Sequence, residues 1–327
     1  MFQSLRSAAV TLAPPAAAVL FLLLAAAPAR AASFQTFVSV NGNDANTSAS
    51  CVRTNPCRLI KTALTVTSPG GVLTVLDSGG FGGFTVTQAV QVVAAPGVQA
   101  TIQPIVSDSD AAVVVNAPGG GGRVPRVTLR NLYLASPGSP AQQTGLRVLN
   151  VDTLHVENCV ITGFLDEGIS VVPGGSVSRL FISDTVIREC GRGVSIQQGA
   201  SFALRATFER VRVEDSIASN MIFKDNVEVV MRDSASSGGT FGLHVSSDTS
   251  GTKAEVMVEN CLLTGNGIGI FASGGAGQGV VDVEGTTISF NNTGLASGTN
   301  GFINSRKDNT LRRNGTNGAF TTAYTPQ

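Results

Sequence analysis

The octapeptide VENCVITG occupies residues 156–163, and VENCLLTG occupies residues 258–265, 102 positions further on. Five other segments fit the same register: LRNLYL from 129, ISDTVI from 182, FERVRV from 208, MRDSAS from 231 and VEGTTI from 283. Successive starts are 27, 26, 26, 23, 27 and 25 residues apart, so the period is close to 25 and the octapeptides lie four periods apart. Within each period a second apolar strip accompanies the first: GLRVLN at 145, GISVVP at 168, GVSIQQ at 193, NMIFKD at 220, GLHVSS at 242 and GIGIFA at 267. A unit this small cannot bury an apolar face alone and must stack on its neighbours. At least two short strands per unit, separated by Gly, Asn or Ser, match one coil of a β-helix. A propeller blade would need about 40 residues.

Period-2 alternation assigns the faces. Val156, Ile182, Phe208, Met231, Val258 and Val283 form one inward column, with Leu154, Leu180, Ala206, Val229, Val256 and Val281 two residues earlier. Past the corner, Cys159, Thr185, Val211, Ser234, Cys261 and Thr286 make a third inward column of small residues. Cys159 and Cys261 thus fill one crowded corner in coils four steps apart, about 19 Å at the spacing of paired strands, too far to be bonded to each other. Asn158 and Asn260 take the bend, where asparagine tolerates the left-handed conformation, and are expected to form a turn ladder.

The ends differ. PCRLIKTALTVTSPGG, residues 56–71, places Leu59, Ile60, Ala63 and Leu64 at helical spacing behind a proline and before Pro-Gly. Such a helix would cover the first coil and its open strand edge. The N-terminal run to Ala31 has an apolar core, Ala16 to Ala27, too short to span about 30 Å of hydrocarbon, and ends in Ala29-Arg30-Ala31. Residues 1–31 therefore read as a cleaved secretory signal peptide, 32–71 as an N-terminal segment with the capping helix, 72–320 as the solenoid and 321–327 as a polar tail. The expected destination is secreted or periplasmic, with no membrane span after cleavage. In that setting Cys51 and Cys57, in the polar loop SASCVRTNPC, read as a local disulfide, whereas Cys159, Cys190 and Cys261 lie in apolar runs as buried thiols.

FVSVNGNDANTSASCVRTNPCRLIKTALT, followed by GGVLTVLDSGGFGGFTVTQAVQV and coils such as LLTGNGIGIFASG, resembles secreted bacterial right-handed parallel β-helix proteins of the pectin-lyase-like superfamily, over about residues 36–320. The resemblance implies an all-β, right-handed parallel β-helix of roughly nine to ten coils. It does not select a function, since lyases, hydrolases, epimerases, tailspikes and adhesins share that fold.

The Asn-Thr-Asp, Asp-Asp, Gly-His-Gly and Arg-x-Lys elements of polygalacturonan-hydrolysing relatives do not occur. Nor does the outward face of the GLRVLN series carry the acidic set of calcium-dependent lyases. It reads Arg147, Ser170, Ser195, Ile222, His244 and Gly269, then Leu149, Val172, Gln197, Lys224, Ser246 and Phe271. Arg147, Lys224 and His244 are the candidate ligand-binding residues there. The acids sit on the other strand, in the column Glu157, Ser183, Glu209, Arg232, Glu259 and Glu284. Glu259 and Glu284, on adjacent steps with Asp282 beside them, are the weak catalytic candidates, since carboxyls about 5 Å apart suit retaining glycoside hydrolysis. Arg232 between Glu209 and Glu259 favours a surface charge ladder instead.

With 22 basic and 22 acidic residues, the charge balance gives no footprint for nucleic acid or an anionic membrane. His155 and His244 offer no zinc spacing, and no phosphate-binding or dinucleotide fingerprint occurs, so no metal or cofactor is implied. The expectation is a non-catalytic scaffold or binder of a polysaccharide or other cell-surface polymer, with a polysaccharide lyase or glycoside hydrolase of divergent site as the alternative.

Overall fold

The structure, a computed structural model, describes residues 32–104, 111–119, 125–138, 143–171, 177–198 and 203–324. The signal-peptide run, the glycines at 120–122 and the last three residues of the polar tail lie outside them.

Each coil has three strands rather than the two that the sequence makes plain. In one coil they are Lys253–Glu259, Leu262–Thr264 and Ile268–Gly274. Each pairs in parallel with its counterpart one coil on, Val258 with Val283, Leu263 with Ile288 and Ile270 with Leu295. Three parallel sheets result, called here the first, second and third in the order in which each coil visits them. The second is ten-stranded, one strand per coil. The other two join at Thr144–Glu157, whose first half pairs in the third sheet and whose second half pairs in the first.

The inward columns are buried as the alternation requires. Val156, Ile182, Phe208, Met231, Val258 and Val283 are each at most 1 % exposed. The small corner column is held by a repeated pair of hydrogen bonds. Thr185 Oγ1 donates to the Ser183 carbonyl at 2.8 Å and accepts from the Cys159 N–H at 3.3 Å. Thr286 does the same with Glu284 and Cys261, at 2.8 and 3.2 Å. The two thiols copy half of this pattern, Cys159 Sγ toward the Glu157 carbonyl at 3.3 Å and Cys261 Sγ toward that of Glu259 at 3.1 Å. The octapeptide recurs because this corner accepts a small side chain with one donor.

The bend residues Asn158, Asp184, Arg210, Asp233 and Asn260 all have φ between 50° and 53°. Their side chains do not form a continuous ladder. Asn158 Nδ2 bonds Asn131 Oδ1 at 2.8 Å, but Arg210 clamps Asp184 at 2.7 and 3.0 Å in the next steps. The unbroken asparagine ladder is inside the second corner, where Asn266 bonds Asn291 at 3.1 Å and Asn291 bonds Asn314 at 3.0 Å. Cys190 fills that corner three coils before Asn266, fully buried.

Entry to the third sheet is close-packed. A Cβ at Gly145, Gly168 or Gly269 would lie 2.6 Å from the carbonyl oxygen of the next coil's residue, so these positions need glycine.

The N-terminal cap differs in extent from the reading of residues 56–71. The helix spans only Ile60–Leu64, because Pro69 and the two glycines after it cannot continue it and the strand Thr67–Val75 has already begun. Ile60 and Ala63 are fully buried. The first sheet also begins before residue 72, since Ser33–Val38 pairs in parallel with Thr67–Val75. Cys51 and Cys57 are disulfide-linked with Cα atoms 5.0 Å apart, tying the loop over that first strand.

Candidate functional site

Two outward faces hold the candidate residues. On the third sheet, strand register places Arg147, Ser170, Ser195, Ile222 and His244 in one column, and Gln197, Lys224 and Ser246 in the next. The last coil departs from the sequence reading by two residues. His244 pairs with Phe271, not Gly269, and Ser246 pairs with Ser273, not Phe271. The tandem GIGI at 267–270 permits two alignments, and the close-packed glycine position selects Gly269 as the partner of Gly242.

Arg147 borders a surface depression of about 380 Å³, shared with Leu149, Glu167, Ser170, Ser195 and Gln197. Glu167 is neutralised by Arg192, whose Nη1 donates to it at 3.0 Å. Arg147 has no ion-pair partner among the described residues. Further along the face, Lys224 Nζ lies 3.8 Å from Asp248. The buried Ser246 Oγ in the same column has no hydrogen-bond partner among the described residues.

His244 ends the first column in an aromatic cluster. Its ring lies 5.1 Å from both Phe241 and Phe271, and the two phenyl rings are 5.5 Å apart. Burial pushes its pKa down to about 4, with Lys224 acting in the same direction and Asp248 against it. The imidazole is therefore neutral at neutral pH. Phe241 was not singled out from the sequence. It precedes the glycine of its strip, where other coils carry Arg192 or Glu167, so no periodic signal marks it.

On the first sheet, the acidic candidates sit in successive coils, Glu259 paired in register with Glu284 and Met257 with Asp282. Each carboxylate already has a partner. Arg232 Nε donates to Glu259 at 2.9 Å, Arg306 forms an ion pair with Glu284, and Asn304 Nδ2 donates to Asp282 at 2.9 Å. Arg232 holds Glu259 alone, because Glu209 is taken by Arg210 at 2.5 Å. None of the three acids lines the depression beside Arg147, or a second one on the first bend bordered by Arg210, Asp233 and Asn260.

The family model described as right-handed β-helix region matches residues 111–278. The chain belongs to the right-handed β-helix family. No curated protein sequence matches it. Among solved structures, this β-helix protein is similar to the alginate lyase from Paenibacillus sp. str. FPU-7, with 13 % identity, TM-score 0.58, 89 % of this chain and 98 % of that one. It is also similar to XylC in complex with xylose, with 10 % identity, TM-score 0.57, 84 % of this chain and 67 % of that one. Pectate lyase Pel9A follows at 14 % identity and TM-score 0.53, over 83 % and 67 %. At these identities the likeness is one of fold, a β-helix shared with several carbohydrate-active proteins. No helix among the described residues is long and apolar enough to cross a membrane.

Proposed function

We propose that the chain binds an extended, carboxylate-bearing polysaccharide along its third sheet. The observation that carries this reading is Arg147, which borders the depression with Ser170, Ser195 and Gln197 and has no ion-pair partner among the described residues, the acid that shares the depression, Glu167, being held by Arg192. A guanidinium in that setting matches a sugar carboxylate, and the neighbouring hydroxyl and amide groups match sugar hydroxyls. From Arg147 the column runs four coil steps to His244, about 19 Å at the spacing of paired strands. That length suits a polymer lying along the solenoid axis, with Lys224 beside it and neutral His244 and its phenyl neighbours at one end. The apolar run ending at Ala31 supports an exported protein within reach of such polymers.

Cleavage at the same face, as a polysaccharide lyase or glycoside hydrolase, is the second reading. The names of the similar structures, pectate lyase and alginate lyase, favour it. The partnered state of Glu259, Asp282 and Glu284 argues against those acids as its machinery.

Calorimetry with polygalacturonate, alginate and neutral xylan tests the proposal, with reducing ends and unsaturated product followed in the same mixtures. Salt-sensitive binding of the two charged polymers, weakened about tenfold in Arg147→Ala, is expected. Binding unaffected by Arg147→Ala, or absent for all three polymers, would overturn it. Product formation would select the second reading.

A further inference from the structure

The first sheet's outward face has a charge order that the polysaccharide reading does not use. Its outermost column runs Arg126, Thr153, Arg179, Arg205, Glu228, Glu255, Val280 and Phe302 along the axis. The sign changes once, between Arg205 and Glu228. We propose that this face is the interface of a two-fold dimer with a second copy of the chain, its axis along the strands and midway between Leu204–Glu209 and Val227–Arg232.

A rotation about that axis turns the two faces toward each other, reverses the order of coils and leaves each column facing itself, as an isologous contact requires. In the outermost column Arg205 then meets Glu228 of the partner subunit, and Arg179 meets Glu255 of the partner subunit. At its end Arg126 meets Phe302 of the partner subunit, a cation over a ring. The middle column behaves the same way. Phe181 faces Met257 of the partner subunit, Thr207 faces Val230 of the partner subunit, and His155 faces Asp282 of the partner subunit. The 41 % exposure of Met257, a large apolar side chain on an open sheet, gains a reason. In the inner column Glu209 meets Arg232 of the partner subunit.

Like charges meet at one edge of this arrangement, where Glu157 faces Glu284 of the partner subunit and Arg130 faces Arg306 of the partner subunit. Both are members of closed ion pairs, Arg130 with Glu157 at 2.5 Å and Arg306 with Glu284, so neutral pairs meet and their diagonals are opposite in sign. The pairs already formed within one chain do not forbid the exchange. Arg205 with Glu228 and Arg179 with Asp152 are solvent-exposed, with Arg205 at 73 %, and such pairs hold weakly. The third sheet, with Arg147 and His244, stays open in the dimer.

Sedimentation equilibrium on the full mature chain and two charge reversals decides the matter, with thermal melts to confirm folding. Wild type should self-associate, and high salt should weaken it. Arg179→Glu and Glu255→Arg should each weaken self-association about tenfold or more, since each puts like charges face to face. An equimolar mixture of the two variants should recover a dimer, because each supplies what the other lacks. A wild type that stays monomeric at all concentrations would overturn the proposal. So would folded variants that dimerise like wild type, or variants whose mixture fails to associate.

Discussion

Asn220 Nδ2 donates to Asn266 Oδ1 at 3.1 Å, although the two residues are 46 positions apart and come from different columns. Asn220 stands where other coils carry Gly193, Gly242 or Gly269 at the entry to the third sheet. Asn266 belongs to the ladder inside the second corner. The coil between them has Gly239 at the ladder position, and the Asn220 carboxamide fills the room, bonding the Ser237 carbonyl at 2.8 Å and Ser236 Oγ at 3.1 Å. A glycine and an asparagine have thus exchanged places without breaking the hydrogen-bonded line.

Replacing Asn220 with Ala should cost about 1–3 kcal/mol, because it leaves the buried Ser216 N–H without its acceptor and takes one of two donors from Asn266 Oδ1, which keeps the Gly239 N–H. Asn220→Gly combined with Gly239→Asn restores the arrangement of neighbouring coils and should recover most of that loss. Denaturant midpoints for both singles and the double measure the coupling. A double variant no better than the sum of its singles would show that the exchange is not compensatory.

The two packed corners predict how their cysteines behave. Burial pushes the thiols of Cys159, Cys190 and Cys261 up to about 12, 11 and 11, so none offers thiolate near neutral pH. Native mature protein should react with no thiol reagent, and denatured protein should expose three groups, with Cys51 and Cys57 linked. Cys261→Thr should change stability by less than about 1.5 kcal/mol, since Thr286 and Thr185 already occupy that place. Cys261→Leu should cost about 1–3 kcal/mol by overpacking. Equal melts for the two variants would contradict the crowded corner.

What the sequence shows of this fold is what repeats in a fixed register. The inward valines, the small corner column and the left-handed bend at Asn158 recur every coil, and one chain supplies enough copies to read them. The second-sheet strand is three residues long in most coils and has one inward side chain, Ile161, Ile187 or Leu263, too little for alternation to show. The second-corner ladder was missed for a related reason. Asn266, Asn291 and Asn314 are evenly spaced, but Gly239, Ser216 and Cys190 interrupt the column, and side chains from another column complete it. The partners of Glu259 and Glu284 were half legible. Arg232 lies in their column, whereas Arg306 lies just past the strand Gly301–Ser305, which only the two-residue strand Thr322–Ala323 follows in that sheet.

The half-buried imidazole of His244 makes stability depend on pH in a stated window. Its pKa falls from an ordinary value near 6.5 to about 4 on folding, so between those values the unfolded chain binds more protons. Its contribution is fully present above pH 6.5 and is lost progressively as pH falls to 4. His244→Phe removes that proton uptake and keeps the aromatic packing with Phe241 and Phe271. The wild-type melting temperature should therefore fall more steeply than that of the variant between pH 6.5 and 4. Parallel pH profiles would remove His244 as the cause.

Glu284 and Arg147 separate binding from catalysis. Glu284 is a part-exposed partner of Arg306, and a solvent-accessible pair contributes about 0.2–1 kcal/mol, so Glu284→Gln should leave both the melt and polymer affinity nearly unchanged. Arg232→Glu should lower stability modestly, because it puts four acids, at 209, 232, 259 and 284, in successive steps and takes the guanidinium from Glu259. Neither change touches the third sheet, where Arg147→Ala should weaken binding of polygalacturonate or alginate. A catalytic pair at Glu259 and Glu284 requires the opposite distribution, with turnover abolished by Glu284→Gln at an unchanged melting temperature. Assays of all three variants against pectic, alginate and xylan polymers read both columns at once. Wild-type cleavage that disappears in Glu284→Gln and survives in Arg147→Ala would sink the binding role and move the active face to the first sheet.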